Sequence, residues 1–134
     1  MSVGRATLGG RPLLVAMVAG ASYGSWAAVV NHGAGLAAAL RAAATQMSMS
    51  VVASFALQLL LTRLFFWART PGRGFWLSSM GTSTLAAAVL TAGHAVNGTP
   101  HLAATLAPSL VIGTTFCFGY ARALLARERA TSGN

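Results

Sequence analysis

Glu128 is the only acidic residue in this chain, and nine arginines, with no lysine, supply the rest of its fixed charge. Only 7% of the 134 residues are charged and 55% are hydrophobic, whereas a soluble domain carries about 25% charged residues. So few charges cannot cover a surface that faces water. The sequence predicts one membrane domain rather than several globular ones. The net charge of +8 does not point to nucleic acid. A nucleic-acid binder gathers its basic residues on one solvated face or arm, and here they sit in small groups between apolar runs.

Residues 1–11 are Gly-rich and basic, with Arg5 and Arg11, and are expected to form a loose end. The next nineteen residues, 12–30, carry no charge, close to the roughly 20 needed to cross a bilayer core. Ala19-Gly20-Ala21 has the small-residue character of a signal-peptide cleavage site. The apolar run continues well past it, so 12–30 is read as the first span. Residues 45–66 form the second. Just before them, residues 35–44 are rich in helix formers and are read as a short outer-face helix or as the extended start of span two. The third span covers 75–96 and the fourth 102–124, where Pro108 is expected to kink the helix. Pro71-Gly72 and Asn97-Gly98-Thr99-Pro100 supply turn chemistry between spans. The polar tail, 127–134, is expected to fray.

Orientation follows from the arginines. With the N-terminus inside, Arg5, Arg11, Arg63, Arg69, Arg73, Arg122, Arg127 and Arg129 fall on the cytoplasmic side, and Arg41 alone falls outside. Such an asymmetry is how topology is written in cytoplasmic membranes. Trp67, Trp76 and Tyr120 then sit at the inner boundary and Trp26 near the outer one, as belt aromatics do. The predicted fold is an all-α inner-membrane bundle of four transmembrane helices, N-in and C-in.

Helices in lipid associate through close backbone approach and hydrogen bonds, because lipid tails are as apolar as leucine. Each span offers a row of small or polar residues four apart, which share a helix face. Span one has Ala16, Gly20, Gly24 and Ala28. Span two has Ala42, Gln46, Ser50, Ser54, Gln58 and Thr62. Span three has Ser79, Ser83, Ala87, Thr91 and Ala95, and span four has Thr105, Ser109, Gly113, Cys117 and Ala121. Gly20, Gly24, Ser50, Ser54 and Gly113 are the predicted helix-packing positions.

Catalytic chemistry is hard to find. No carboxylate lies inside a span, which excludes proton coupling through a buried acid of the kind small multidrug exporters use. Without aspartate there is no Ser-His-Asp arrangement, and no phosphate-binding glycine loop or CxxC pair occurs. Cys117 is the only cysteine and lies in an apolar run, where a thiol packs as a small hydrophobe. A non-enzymatic protein without a cofactor is expected. His32, His94 and His101 all fall near the outer surface and could be imagined around a metal. Lacking a carboxylate or cysteine partner, they read better as interface and turn histidines bonded to loop backbone. Arg41 can snorkel to the headgroups and pair with a phosphate. With Asn31, His32, Gln46 and Gln58 it forms the predicted grip on a lipid phosphate.

The basic N-terminus before span one and the aromatic, basic end of span four, Gly119-Tyr120-Ala121-Arg122, give a layout similar to the GtrA-type proteins. The motif around that family's first span is not visible here. The resemblance implies a four-span protein concerned with moving polyprenyl-phosphate sugars. The sequence-based reading is thus a protein that binds, or helps translocate, a lipid or lipid-linked phosphate, with membrane lipids as partners. Its alternative is an accessory subunit or homo-oligomeric scaffold whose small-residue faces dock a larger membrane protein or a second copy. A holin is a weaker fit, because holins usually carry a longer charged tail.

Overall fold

A computed structural model describes residues 10–132. Four helices follow in order: α1, Gly10–Asn31; α2, Leu36–Trp67; α3, Pro71–Val96; and α4, Leu102–Ser132, with a single 3-10 turn at His32–Ala34. Three of them, α2, α3 and α4, are long and apolar enough to cross a membrane. Residues 35–44 do not form a separate helix. From Leu36 they belong to one continuous α2 of 32 residues, about 48 Å at 1.5 Å per residue. The tail expected to fray is helical through Ser132, because no proline or glycine follows Gly119 within the helix. Of the expected loose end, 1–9 lies outside the described residues, while Gly10 and Arg11 already belong to α1.

Local chemistry sets the breaks between helices. Gly35 takes φ +99°, in the left-handed region that favours glycine, and this lets the chain reverse into α2. Thr70 caps α3, with its Oγ1 accepting the Arg73 N–H at 3.4 Å and Pro71 in the first turn, where a missing N–H costs nothing. The far end of α3 closes in a Schellman motif. Gly98 sits at φ +65°, its N–H bonds Ala95 O at 3.0 Å, and the Thr99 N–H reaches back to His94 O at 3.0 Å.

The helices form a ring in which α1 packs on α2, α2 on α3, α3 on α4 and α4 on α1, while α2 also meets α4 across the middle. Along the α1–α2 seam a Cβ on Gly20 would lie 3.0 Å from Val51 and 3.2 Å from Met47 O. At Gly24 it would lie 3.1 Å from Ala43 O. These two glycines let the backbones approach. Gly74 does the same beside the α2–α3 turn, where a Cβ would stand 2.5 Å from Phe65 O. Gly93 lies under the side chain of Met49. Phe75 and Trp76 of α3 both meet Phe118 of α4 edge-to-face, at 5.9 and 6.2 Å.

Polarity in this bundle is inverted relative to a water-soluble one. Val29, Leu36, Val52, Trp67, Val89 and Val111 are all more than half exposed, whereas Asn31, Gln46, Ser78, Ser79, Thr82 and His94 are 0% exposed. In water this arrangement would forfeit the apolar burial that drives folding. In lipid it is the stable one, since polar side chains must find partners inside the protein.

Candidate functional site

The buried polar residues converge on Gln46. The first turns of α2 direct its side chain toward the bundle centre, where it is fully buried. Its Oε1 lies 2.7 Å from His94 Nε2 on α3. Its Nε2 donates to Ser109 Oγ on α4 at 2.6 Å and to Ser50 Oγ one turn along α2 at 3.2 Å. With the amide oxygen facing the ring, His94 Nε2 carries the proton. The other nitrogen, Nδ1, then accepts from Thr99 Oγ1 at 2.9 Å, and the imidazole is satisfied in its neutral form. Thr99 is in reach because the Schellman turn folds it back over His94. A continuous chain therefore runs from the α3–α4 loop through His94 and Gln46 to two serines in the bundle interior.

A second junction ties α1 to α4. Asn31 donates to Ala27 O at 2.8 Å and to Thr105 Oγ1 at 2.7 Å, and its Oδ1 accepts the His101 N–H at 3.0 Å. It thereby caps the start of α4, satisfying one of the donors that a helix leaves open at its first turn. Trp26 adds a bond with a clear cause. Pro108 has no N–H to give the carbonyl four residues back, and that carbonyl, Ala104 O, accepts the Trp26 indole N–H at 2.9 Å.

Beyond Ser50 and Ser109 all four helices contribute walls to a partly open cavity of about 310 Å³. Tyr23 of α1, Ser54 and Gln58 of α2, Ser83 of α3 and Gly113 and Phe116 of α4 line it, with no charged residue among the lining. Ser83 Oγ is buried without a hydrogen-bond partner among the described residues, and the Cys117 thiol lies beside it. A second cavity of about 380 Å³ lies between α2 and α3 and is almost wholly apolar, with Met49, Val52, Leu60 and Val89 in its walls. Thr82 Oγ1, the other buried oxygen without a partner among the described residues, belongs to a residue of that lining. Ala53, Leu57, Ala86 and Leu90 line both spaces and so form the partition between them.

The five residues expected to grip a phosphate do not come together. Asn31 and Gln46 are fully buried and spend their amides on α4 and α3. Arg41 is exposed, and five residues separate it from Gln46, about 140° around an ideal helix. Among the described residues no hydrogen bond or ion pair involves Arg41. His32 is exposed in the 3-10 turn. Gln58 lies three turns further along α2, at the edge of the cavity. The histidines are equally scattered, since His94 is buried while His32 and His101 are exposed. Among the described residues no group of three potential ligands could hold a metal. Ser50 and Ser54 face the interior, with Ser54 donating to Ser50 O at 2.8 Å. Gly113 does not pack against a helix. A Cβ there would meet no atom within 4 Å, because the residue borders the cavity.

Sequence reasoning missed the pairing of His94 with Gln46, the role of Trp26 and the unpaired hydroxyl of Ser83. The rows of residues four apart did contain Gln46, Ser50, Ser83, Thr105 and Ser109, and the helices turn these positions inward, while Gln58, Thr91 and Ala95 of the same rows are exposed. No family model, curated protein or solved structure matches this chain. The likeness to GtrA-type proteins is accordingly one of layout alone, and layout does not carry function.

Proposed function

We propose that this chain is a non-enzymatic four-span protein of the cytoplasmic membrane that holds a lipid-like molecule between its helices. In this reading α1 is the fourth span, and both termini lie on the cytoplasmic side with the arginines of the α2–α3 turn and of the end of α4. Arg41 lies 22 residues before Arg63 on α2, about 33 Å along the axis, against a hydrocarbon core of about 30 Å. That spacing supports Arg41 at one headgroup layer and Arg63 at the other. Arg41, free of protein partners among the described residues, serves as an anchor to lipid phosphate. The bound molecule itself sits in the central cavity.

One observation carries the reading: the space of about 310 Å³ bounded by all four helices falls in the size range of small-molecule sites. A packed core would close such a space, since every void forfeits dispersion contacts. Native mass spectrometry of protein taken gently from membranes tests it. Wild type is expected to carry a lipid-like adduct that Gly113→Phe, which fills the cavity, loses and Arg41→Ala retains. Equal adducts in wild type and Gly113→Phe would refute the cavity as the site.

The apolar space between α2 and α3 favours a second reading, an accessory subunit that receives a partner helix there. A stoichiometric protein partner lost on Ala56→Phe, with no retained lipid, would support it over the first.

A further inference from the structure

We infer that the occupant of the central cavity is an uncharged, largely apolar molecule recognised through a carbonyl-type acceptor oxygen, such as that of an ester or a quinone. This inference rests on the lipid-like reading above and narrows its chemistry. Ser50 and Ser109 each accept an N–H from Gln46, and among the described residues neither hydroxyl has an acceptor for its own proton. Ser83 Oγ has no acceptor for its proton among the described residues, the weakly accepting Cys117 sulfur beside it aside. All three residues line the same cavity, so its wall presents protons without acceptors. A buried donor left unmet costs about 1–3 kcal/mol, and a ligand oxygen relieves that cost where a hydrocarbon chain cannot. A phosphate or carboxylate fits poorly, because no arginine lines the space and an ion unpaired in a low-dielectric interior is costly. The orientation of Gln46 maintains this polarity. Were its amide reversed, the oxygen would take both serine protons and the cavity would lose two of its donors.

Photolabelling of the purified protein in detergent tests the inference with two probes, benzophenone, an apolar ketone, and an alkyl diazirine without an acceptor. Ser83→Ala removes a hydroxyl the fold does not use, and Gly113→Phe fills the space. The ketone is expected to label cavity peptides in wild type, about fivefold less in Ser83→Ala, as loss of one hydrogen bond of about 1 kcal/mol implies. Diazirine labelling is expected to be weak and unchanged by that substitution. Ketone labelling that is indifferent to Ser83→Ala but abolished by Gly113→Phe would overturn acceptor recognition and leave the occupied cavity standing. Labelling by both probes that is indifferent to Gly113→Phe would overturn both.

Discussion

His94 Nε2 and Gln46 Oε1 lie 2.7 Å apart although 48 residues separate them in the chain. Each is fully buried, and a hydrogen bond in a low-dielectric interior is stronger than one in water, so the pair is worth more to the fold than its single bond suggests. Gln46→Leu leaves His94 and Ser109 each short of a partner. We expect it to cost about 1–3 kcal/mol, with His94→Leu similar and the double variant well short of the sum. Unfolding in mixed micelles across the full cycle measures the coupling. Strict additivity would show that the two side chains do not interact.

The same geometry fixes the histidine's proton. With an amide oxygen at Nε2 and the Thr99 hydroxyl at Nδ1, the ring is expected as the Nε2–H tautomer. Nitrogen chemical shifts of the labelled imidazole report this directly. A protonated Nδ1 would mean that the Gln46 amide is turned the other way.

Trp26 and Pro108 should be coupled through the carbonyl they share. Trp26→Phe removes the side-chain donor to Ala104 O, at a cost of about 1 kcal/mol. In a Pro108→Ala background residue 108 supplies its own N–H to that carbonyl, and the penalty should fall to less than half. An undiminished penalty would assign the role of Trp26 to its ring rather than its N–H.

Glycine substitutions separate packed from open surface. Gly20→Leu and Gly24→Leu must push α1 off α2, where even a Cβ meets atoms at 3.0–3.1 Å. A loss of 2 kcal/mol or more is expected, since overpacking typically costs about 1–3 kcal/mol for far smaller insertions. Gly113→Ala should be neutral or stabilising, because it adds a methyl to empty space and raises helix propensity by about 1 kcal/mol. Melting temperatures in one detergent rank the three.

Single cysteines at Arg41 and Arg69, in a Cys117→Ser background, test topology. An impermeant maleimide applied to intact cells should label position 41 and not position 69. Labelling of both from one side would contradict the proposed orientation.

The helices were legible because their signals are local. Arginine-flanked apolar runs and the breaks at 31–35, Pro71-Gly72 and Asn97-Gly98 each act within a few residues. The start of α2 was less so, since an Ala-rich stretch reads equally well as part of a long helix or as a separate one. Spacing by four correctly grouped Gln46 with Ser50, and Thr105 with Ser109. It could not say which helix each row would face, because that depends on the rotation of one helix against another. Gln46 and Asn31 show the consequence. The high cost of an amide in lipid marks Gln46 for another helix or a cavity, and the grip on phosphate is the added reading for both, but residues 48 to 74 positions away supply the partners. Gly113 failed for a related reason, since a small residue on a helix face looks the same whether it admits a neighbour or leaves a hole.

The Schellman turn that ends α3 has a reach longer than its six residues. Because Thr99 is held over His94 by the left-handed twist at Gly98, the shape of a surface corner supplies the partner for the second nitrogen of a deep ring. That connection passes through one amide to the serines beyond. A change as small as Gly98→Val, far from the cavity, should therefore alter what the interior offers a guest, so that corner and chamber cannot drift independently as the sequence evolves.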